Sequence, residues 1–288
     1  MAQKVPLWKT RARSLEKAGK QFRESSPDGI HDLRVALRRV SATASALGRD
    51  KLAKESRRLV SYLSDLRQIE VDRRLLGRVR ELGWIPEQVA AGVDARWDAL
   101  LKEGAKTAAR RAPEEELDRL RRKLSRLSRG KQEDLLRQLE DARARADRHL
   151  EAPLREPTDK SLHRYRLAVK KARYVTEDLA LAGRAGLERD IERKKRLQDA
   201  LGHWNDLRLF RQHLVATRDE AERRGAVTFI LELDRVISAL KPAVESARAE
   251  ALRVVRSGTG GKVERAAKET RATAARARPV RAATATDS

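Results

Sequence analysis

Eight stretches of this chain repeat their apolar residues at the three-and-four spacing of an α-helix, and glycine or proline punctuates most of their ends. That punctuation constrains the fold more than any other feature. Ser25-Ser26-Pro27-Asp28-Gly29 separates the first helix from the second, and Gly48-Arg49-Asp50 ends the second. Gly83-Trp84-Ile85-Pro86 ends a long third helix. Ala112-Pro113-Glu114-Glu115-Glu116 opens the fifth, with its acids on the positive end of the helix dipole. Glu156-Pro157-Thr158-Asp159 opens the sixth, Gly183 to Gly186 divides the sixth from the seventh, and Arg224-Gly225 divides the seventh from the eighth. Long helices with short connectors pack as antiparallel bundles, so the expected class is all-α without strands.

Two of these helices open alike. Ile30-His31-Asp32-Leu33-Arg34-Val35-Ala36-Leu37-Arg38-Arg39 matches Leu162-His163-Arg164-Tyr165-Arg166-Leu167-Ala168-Val169-Lys170-Lys171. His, Arg and Ala coincide, and so do the apolar and doubly basic positions. Each segment follows a proline-containing turn and opens the second helix of a set of four. An internal duplication of four helices plus four accounts for this, with repeats over about 1–111 and 112–256.

At about 100° per residue, His31, Arg34 and Arg38 share one stripe, while Leu33, Leu37, Val40, Ala44 and Leu47 gather opposite. In the second copy His163, Arg166, Lys170 and Tyr174 share the cationic stripe, and Tyr165, Val169, Ala172 and Leu179 the apolar one. A stripe from His31 to Arg38 is about 10 Å long, a match to successive phosphates of an extended polyanion. Arginine offers a planar fork to phosphate oxygens and lysine a point charge. A single basic stripe is more often a solvated face. Two equivalent ones favour a ligand site, most of all if the halves face each other across a cleft.

The net charge is +23, from 66 Lys+Arg against 43 Asp+Glu. Residues 257–288 account for +4, so the body carries +19. Such an excess predicts polyanionic partners. Ser257-Gly258-Thr259-Gly260-Gly261 is expected to break the last helix, leaving 257–288 a disordered basic tail. The chain has no cysteine, which excludes disulfides, thiolate metal sites and a cysteine nucleophile. No apolar run approaches the roughly 20 residues of a membrane span, and the first residues lack a secretory pattern, so a cytoplasmic location is expected.

A second segment, Leu197-Gln198-Asp199-Ala200-Leu201-Gly202-His203-Trp204-Asn205-Asp206, puts Leu197 and Leu201 on one core face. Gly202 within it predicts close helix packing, and Asp206 an ion-pair partner for a neighbouring basic residue. Leu63-Ser64-Asp65-Leu66-Arg67-Gln68 is its counterpart in the first half.

These motifs, in this order over nearly all of residues 1–256, resemble the CHAD family, the conserved histidine α-helical domain. The resemblance implies two four-helix bundles related by a pseudo-two-fold axis and enclosing a basic cleft. It implies binding of inorganic polyphosphate, and association of some members with polyphosphate or polyhydroxyalkanoate granules. It further implies binding roles for His31, Arg34, Arg38, Arg39, His163, Arg166, Lys170, Lys171 and Arg173. The chain departs from the family at Gln68, where Asp often follows Arg, and at Ser41, where another Arg is common. No Glu-x-Glu-x-Lys strand of an appended triphosphate-tunnel domain is present.

The function expected is therefore non-catalytic polyphosphate binding or granule targeting, with no cofactor and no metal. Phosphoryl transfer would need metal-binding carboxylates or a glycine-rich phosphate loop, and neither is visible. His203 and His213 do not form a metal-ligand pair. Nucleic-acid or nucleoid binding by diffuse charge is the alternative, although no helix-turn-helix, zinc-finger or RNA-recognition signature appears. Arg13 and Lys194 are further candidates for the cleft that spacing alone does not rank.

Overall fold

The computed structural model describes residues 7–26, 28–111, 114–126, 132–151 and 157–276. They form ten helices and no strand. The helices are α1 (Leu7–Arg23), α2 (Gly29–Ala46), α3 (Asp50–Tyr62), α4 (Ser64–Glu81), α5 (Glu87–Arg111), α6 (Glu114–Arg126), α7 (Gln132–Glu151), α8 (Asp159–Leu181), α9 (Glu188–Arg223) and α10 (Val227–Arg276). None of the described helices is long and apolar enough to cross a membrane.

The expected helix ends hold where glycine sets them. α2 and α8, the two helices with matching sequences, each finish in a glycine of positive φ, Gly48 at 64° and Gly183 at 104°. At each, the next N–H reaches back five residues, Arg49 to the Ala44 carbonyl (2.8 Å) and Arg184 to the Leu179 carbonyl (3.0 Å). This glycine-dependent closure satisfies carbonyls that the helix leaves unpaired.

Three expectations are corrected. The long third helix is broken at Leu63 into α3 and α4, and its two ends serve different cores. Leu59, Leu63 and Leu66 pack into one, whereas Leu76 and Val79 pack into another. The fifth helix is likewise two, α6 and α7, and the segment 127–131 between them lies outside the described residues. Finally, α10 continues through Ser257–Gly261 to Arg276. Each glycine costs about 1 kcal/mol against alanine, which weakens a helix without capping it. Residues 277–288 of the predicted tail lie outside the described residues.

The helices bury three apolar cores rather than one per four-helix set. The first joins α1, α2, α3 and α6 to the C-terminal half of α8. The second joins α4 and α5 to the later part of α9 and the start of α10, with Trp97 edge-on to Phe210 at 6.0 Å. The third joins α7, the start of α8, the start of α9 and the middle of α10 around Trp204. α9 is the spine. Its 36 residues span about 54 Å, and it buries Trp204 in the third core and Phe210 in the second. The apolar stripes of α2 and α8 face inward as expected: Leu33, Leu37, Val40 and Ala44 are buried, as are Tyr165, Val169, Ala172 and Leu179.

Candidate functional site

α8 starts where Thr158 caps it, its hydroxyl accepting from the Ser161 N–H at 3.2 Å. From there Arg166 and Lys170 stand one turn apart, as Arg34 and Arg38 do on α2. α2 and α8 pack against each other. A buried node fixes the crossing. Arg11 of α1 donates through Nε to Asp178 of α8 (3.1 Å), and Thr43 of α2 donates its hydroxyl to the same carboxylate. All three side chains are buried, so three helices share one charged knot.

The crossing brings the two cationic stripes together. Arg34, Arg38, Arg166 and Lys170 are half-buried, and none of them makes an ion pair with a described residue. The buried Nε groups of Arg34 and Arg166 have no hydrogen-bond partner. Burial is the main force against their charge, and mutual repulsion adds to it at Arg34, Arg166 and Lys170. Arg34 is pushed down to about 10 by burial, then by Arg38, Arg67 and Arg166. Lys170 is pushed down to about 6 by burial, then by Arg166, Arg38 and Arg34. Asp206 of α9 favours the charged forms of Arg166 and Lys170, but it makes an ion pair with neither.

Each helix also brings a histidine, His31 on α2 and His163 on α8. His31 is pushed down by burial and then by Arg67, which also faces Arg34. His163 is pushed down by burial, against the pull of Asn205, and by Arg166, Arg208 and Lys170. Each histidine therefore meets an arginine from another helix, Arg67 on α4 or Arg208 on α9. Arg67 binds Glu70 at 3.0 Å. Arg208 lies over the Trp204 ring at 5.7 Å and donates to Gln212 at 3.2 Å.

The sequence reading missed Arg67 and Arg208 as members of the site. The available signal was position: Arg67 lies within the segment matched to Leu197–Asp206, and Arg208 follows that segment by two residues.

The remaining candidates are either paired within the protein or exposed. Arg39 and Arg173 converge on Glu177 at 3.4 and 3.0 Å, with the Tyr174 ring 6.0 and 5.1 Å from their guanidinium carbons. Their charge is partly met within the protein. Tyr174, expected on the cationic stripe, is buried at the crossing. Lys171 is exposed, one step of about 100° round α8 from Lys170. Arg13 is exposed as well. Lys194 is fully buried and pairs with Asp190 (2.7 Å) and Asp147 (2.9 Å), so it is a structural cation. Gly202 is not a close-packing site, since a Cβ there would meet nothing within 4 Å.

Two other features lie outside the cluster. His213 of α9 pairs through Nδ1 with the buried Asp72 of α4 at 2.5 Å, and this pairing raises its pKa. A cavity of about 500 Å³ lies between α5, α9 and α10, bordered by Leu100, Phe229 and the Arg96–Glu220 pair, and contains none of the candidates.

The fold and the match in sequence agree on kinship. The structure resembles PptA from Streptomyces chartreusis, with a TM-score of 0.62 at 18% identity, covering 86% of this chain and 96% of that one. It also resembles the CHAD domain from the plant Ricinus communis, with a TM-score of 0.63 at 19% identity, covering 85% and 89%. No curated protein sequence matches. A family model described as CHAD domain matches residues 8–215, a span that holds the whole α2–α8 crossing together with Arg67 and Arg208, and the chain therefore belongs to the CHAD domain family.

Proposed function

We propose that this protein binds inorganic polyphosphate at the α2–α8 crossing without turning it over, as a binding or granule-targeting module. One observation carries the reading: Arg34, Arg38, Arg166 and Lys170 converge half-buried and without ion pairs to described residues. In a protein that pairs many of its other cations, such a cluster costs stability until an anion occupies it. A chain of phosphates offers closely spaced anionic oxygens, each able to accept from guanidinium N–H groups that otherwise lack a partner. His31 with Arg67 and His163 with Arg208 extend the tract. Arg39, Arg173 and Lys171 are secondary contributors in this reading. Membership of the CHAD family supports it. The four cations face one carboxylate, Asp206, a set suited to holding phosphates rather than to activating a nucleophile.

The test is a titration of long-chain polyphosphate into the full chain at near-physiological salt, with excess duplex DNA as competitor. A variant carrying His31→Ala, Arg34→Ala, Arg166→Ala and Lys170→Ala is titrated in parallel. Binding that DNA fails to displace, lost in a variant that keeps its helical signal, is the expected result. Binding displaced by DNA and indifferent to the four changes would transfer the reading to nucleic acid held by diffuse charge.

A further inference from the structure

The same crossing holds an amine in an unusual setting. Lys170 makes no hydrogen bond or ion pair with any described residue, and its side chain is half-buried rather than sealed. The groups around it come from each helix packed at the crossing. Arg34 and Arg38 face it from α2, Arg166 and His163 from one and two turns back on α8, and Asp206 from α9. Tyr174 lies one turn on along α8, and Arg67 of α4 reaches the cluster through Arg34. Three guanidiniums against one carboxylate do two things at once. They disfavour a fourth positive charge on Lys170, and they attract small anions to the amine.

We infer that Lys170 is a self-acylating modification site whose acyl donors are small acyl phosphates. The inference rests on the phosphate-binding reading of this crossing. The donor's phosphate would occupy the arginine cluster, which places its acyl group beside the amine. The Nζ lone pair attacks the acyl carbon and forms the amide N–C bond. The C–O bond to phosphate breaks, its electron pair leaves on the phosphate oxygen, and the nitrogen's surplus proton passes to the departing phosphate or to solvent. The arginines hold the leaving group as its charge grows. The product is a neutral amide at the centre of the cluster that no longer takes up a proton when an anion binds, so acylation removes the positive charge that Lys170 would supply to bound polyphosphate.

Other lysines provide internal references. Lys9 and Lys54 are exposed and free of this cluster. Lys194 is fully buried but held by Asp190 and Asp147. With Lys170 near 6, most of its amine is neutral at pH 7, against well under one part in a thousand for an ordinary lysine. Part of that gain is returned, because nucleophilicity falls with basicity and because the donor's own phosphate, once in the cluster, favours the ammonium form.

The experiment incubates the full-length protein with acetyl phosphate and follows each lysine by peptide mass spectrometry. Lys170 is expected to acetylate roughly tenfold faster than Lys9 and Lys54 at pH 7. Its rate should level off above neutrality while theirs keep rising with pH. Polyphosphate should protect it, and Arg166→Gln should slow it while the helical signal is retained. A Lys170 rate no higher than that of Lys9 and Lys54, or one unchanged by Arg166→Gln, overturns the inference. Direct titration separates the two readings. Tight polyphosphate binding with slow Lys170 labelling sinks the acylation alone. Fast labelling slowed by Arg166→Gln, in a protein that binds no polyphosphate, keeps the acylation and sinks the polyphosphate reading.

Discussion

Replacing Lys170 by methionine should stabilise the free protein, the reverse of what most substitutions at half-buried positions do. In the unfolded chain the amine keeps its proton up to its ordinary value of 10.5, whereas in the fold it keeps it only up to about 6. At pH 7, folding therefore strips that proton. The gap between pH 7 and the ordinary value corresponds to about 5 kcal/mol at about 1.36 kcal/mol per pH unit. The side chain still touches solvent, and screening brings the expected gain of Lys170→Met down to about 2 kcal/mol. Methionine keeps a similar length and apolar stem, so little packing is lost. The assay is urea unfolding in phosphate-free buffer, where the variant should show the higher midpoint. The pH dependence follows from proton counting. Between about 6 and 10.5 the unfolded state binds more protons at this site than the folded state does, so the site's contribution to stability rises with pH. The advantage of the variant should therefore shrink as pH climbs towards 10. Polyphosphate should invert the ranking, because a bound anion favours the ammonium form, and its binding at pH 7 should take up protons. Calorimetry in two buffers of different ionisation enthalpy reads that uptake. A variant less stable than the wild type at pH 7 without anion, with a gap that does not vary with pH, would refute the reasoning.

Asp178→Asn leaves Arg11 buried without its counter-charge and should cost about 3–5 kcal/mol, read as a drop in the urea midpoint; a cost below about 1 kcal/mol would show that the knot does not hold the crossing. Asp72→Asn should cost about 1 kcal/mol near pH 6. The pairing raises the His213 value, so its contribution is complete below the ordinary histidine value and fades as pH rises through the raised one. Equal costs at pH 6 and pH 9 would contradict that account. Gly29→Ala places a Cβ 2.7 Å from the Gln21 carbonyl oxygen, a backbone atom that cannot swing aside, and should cost about 1–3 kcal/mol by thermal melting. An unchanged melting temperature would mean that the turn between α1 and α2 adjusts freely.

The sequence made the local structure and half of the site legible. Glycine at 48 and 183 marked the ends of α2 and α8, because positive φ at a helix end is a one-residue requirement. The 3.6-residue period separated Leu33, Leu37 and Val40 from His31, Arg34 and Arg38 without knowledge of any neighbour. The same period put Tyr174 on the cationic stripe, where it does face Arg34, Arg38 and Arg166, but buried. It assigns a face to a residue, but it does not say whether that face meets solvent or another helix. The break at Leu63 had no local signal either, since both halves of the run are good helix.

What the chain determined by itself was helix, stripe and charge, all set by interactions within about one turn. Tertiary structure decided which cations are free. Arg39 and Arg173 look no different from Arg34 in the sequence, yet Glu177 stands between them. Lys194 looks no different from Lys170 in the sequence, yet Asp147, from a different helix, helps Asp190 hold it in the core. Arg67 and Arg208 joined the site only because α4 and α9 bring them to the histidines. Electrostatic partnership acts through space over a few ångströms, and residues far apart in the chain reach that range only when helices pack.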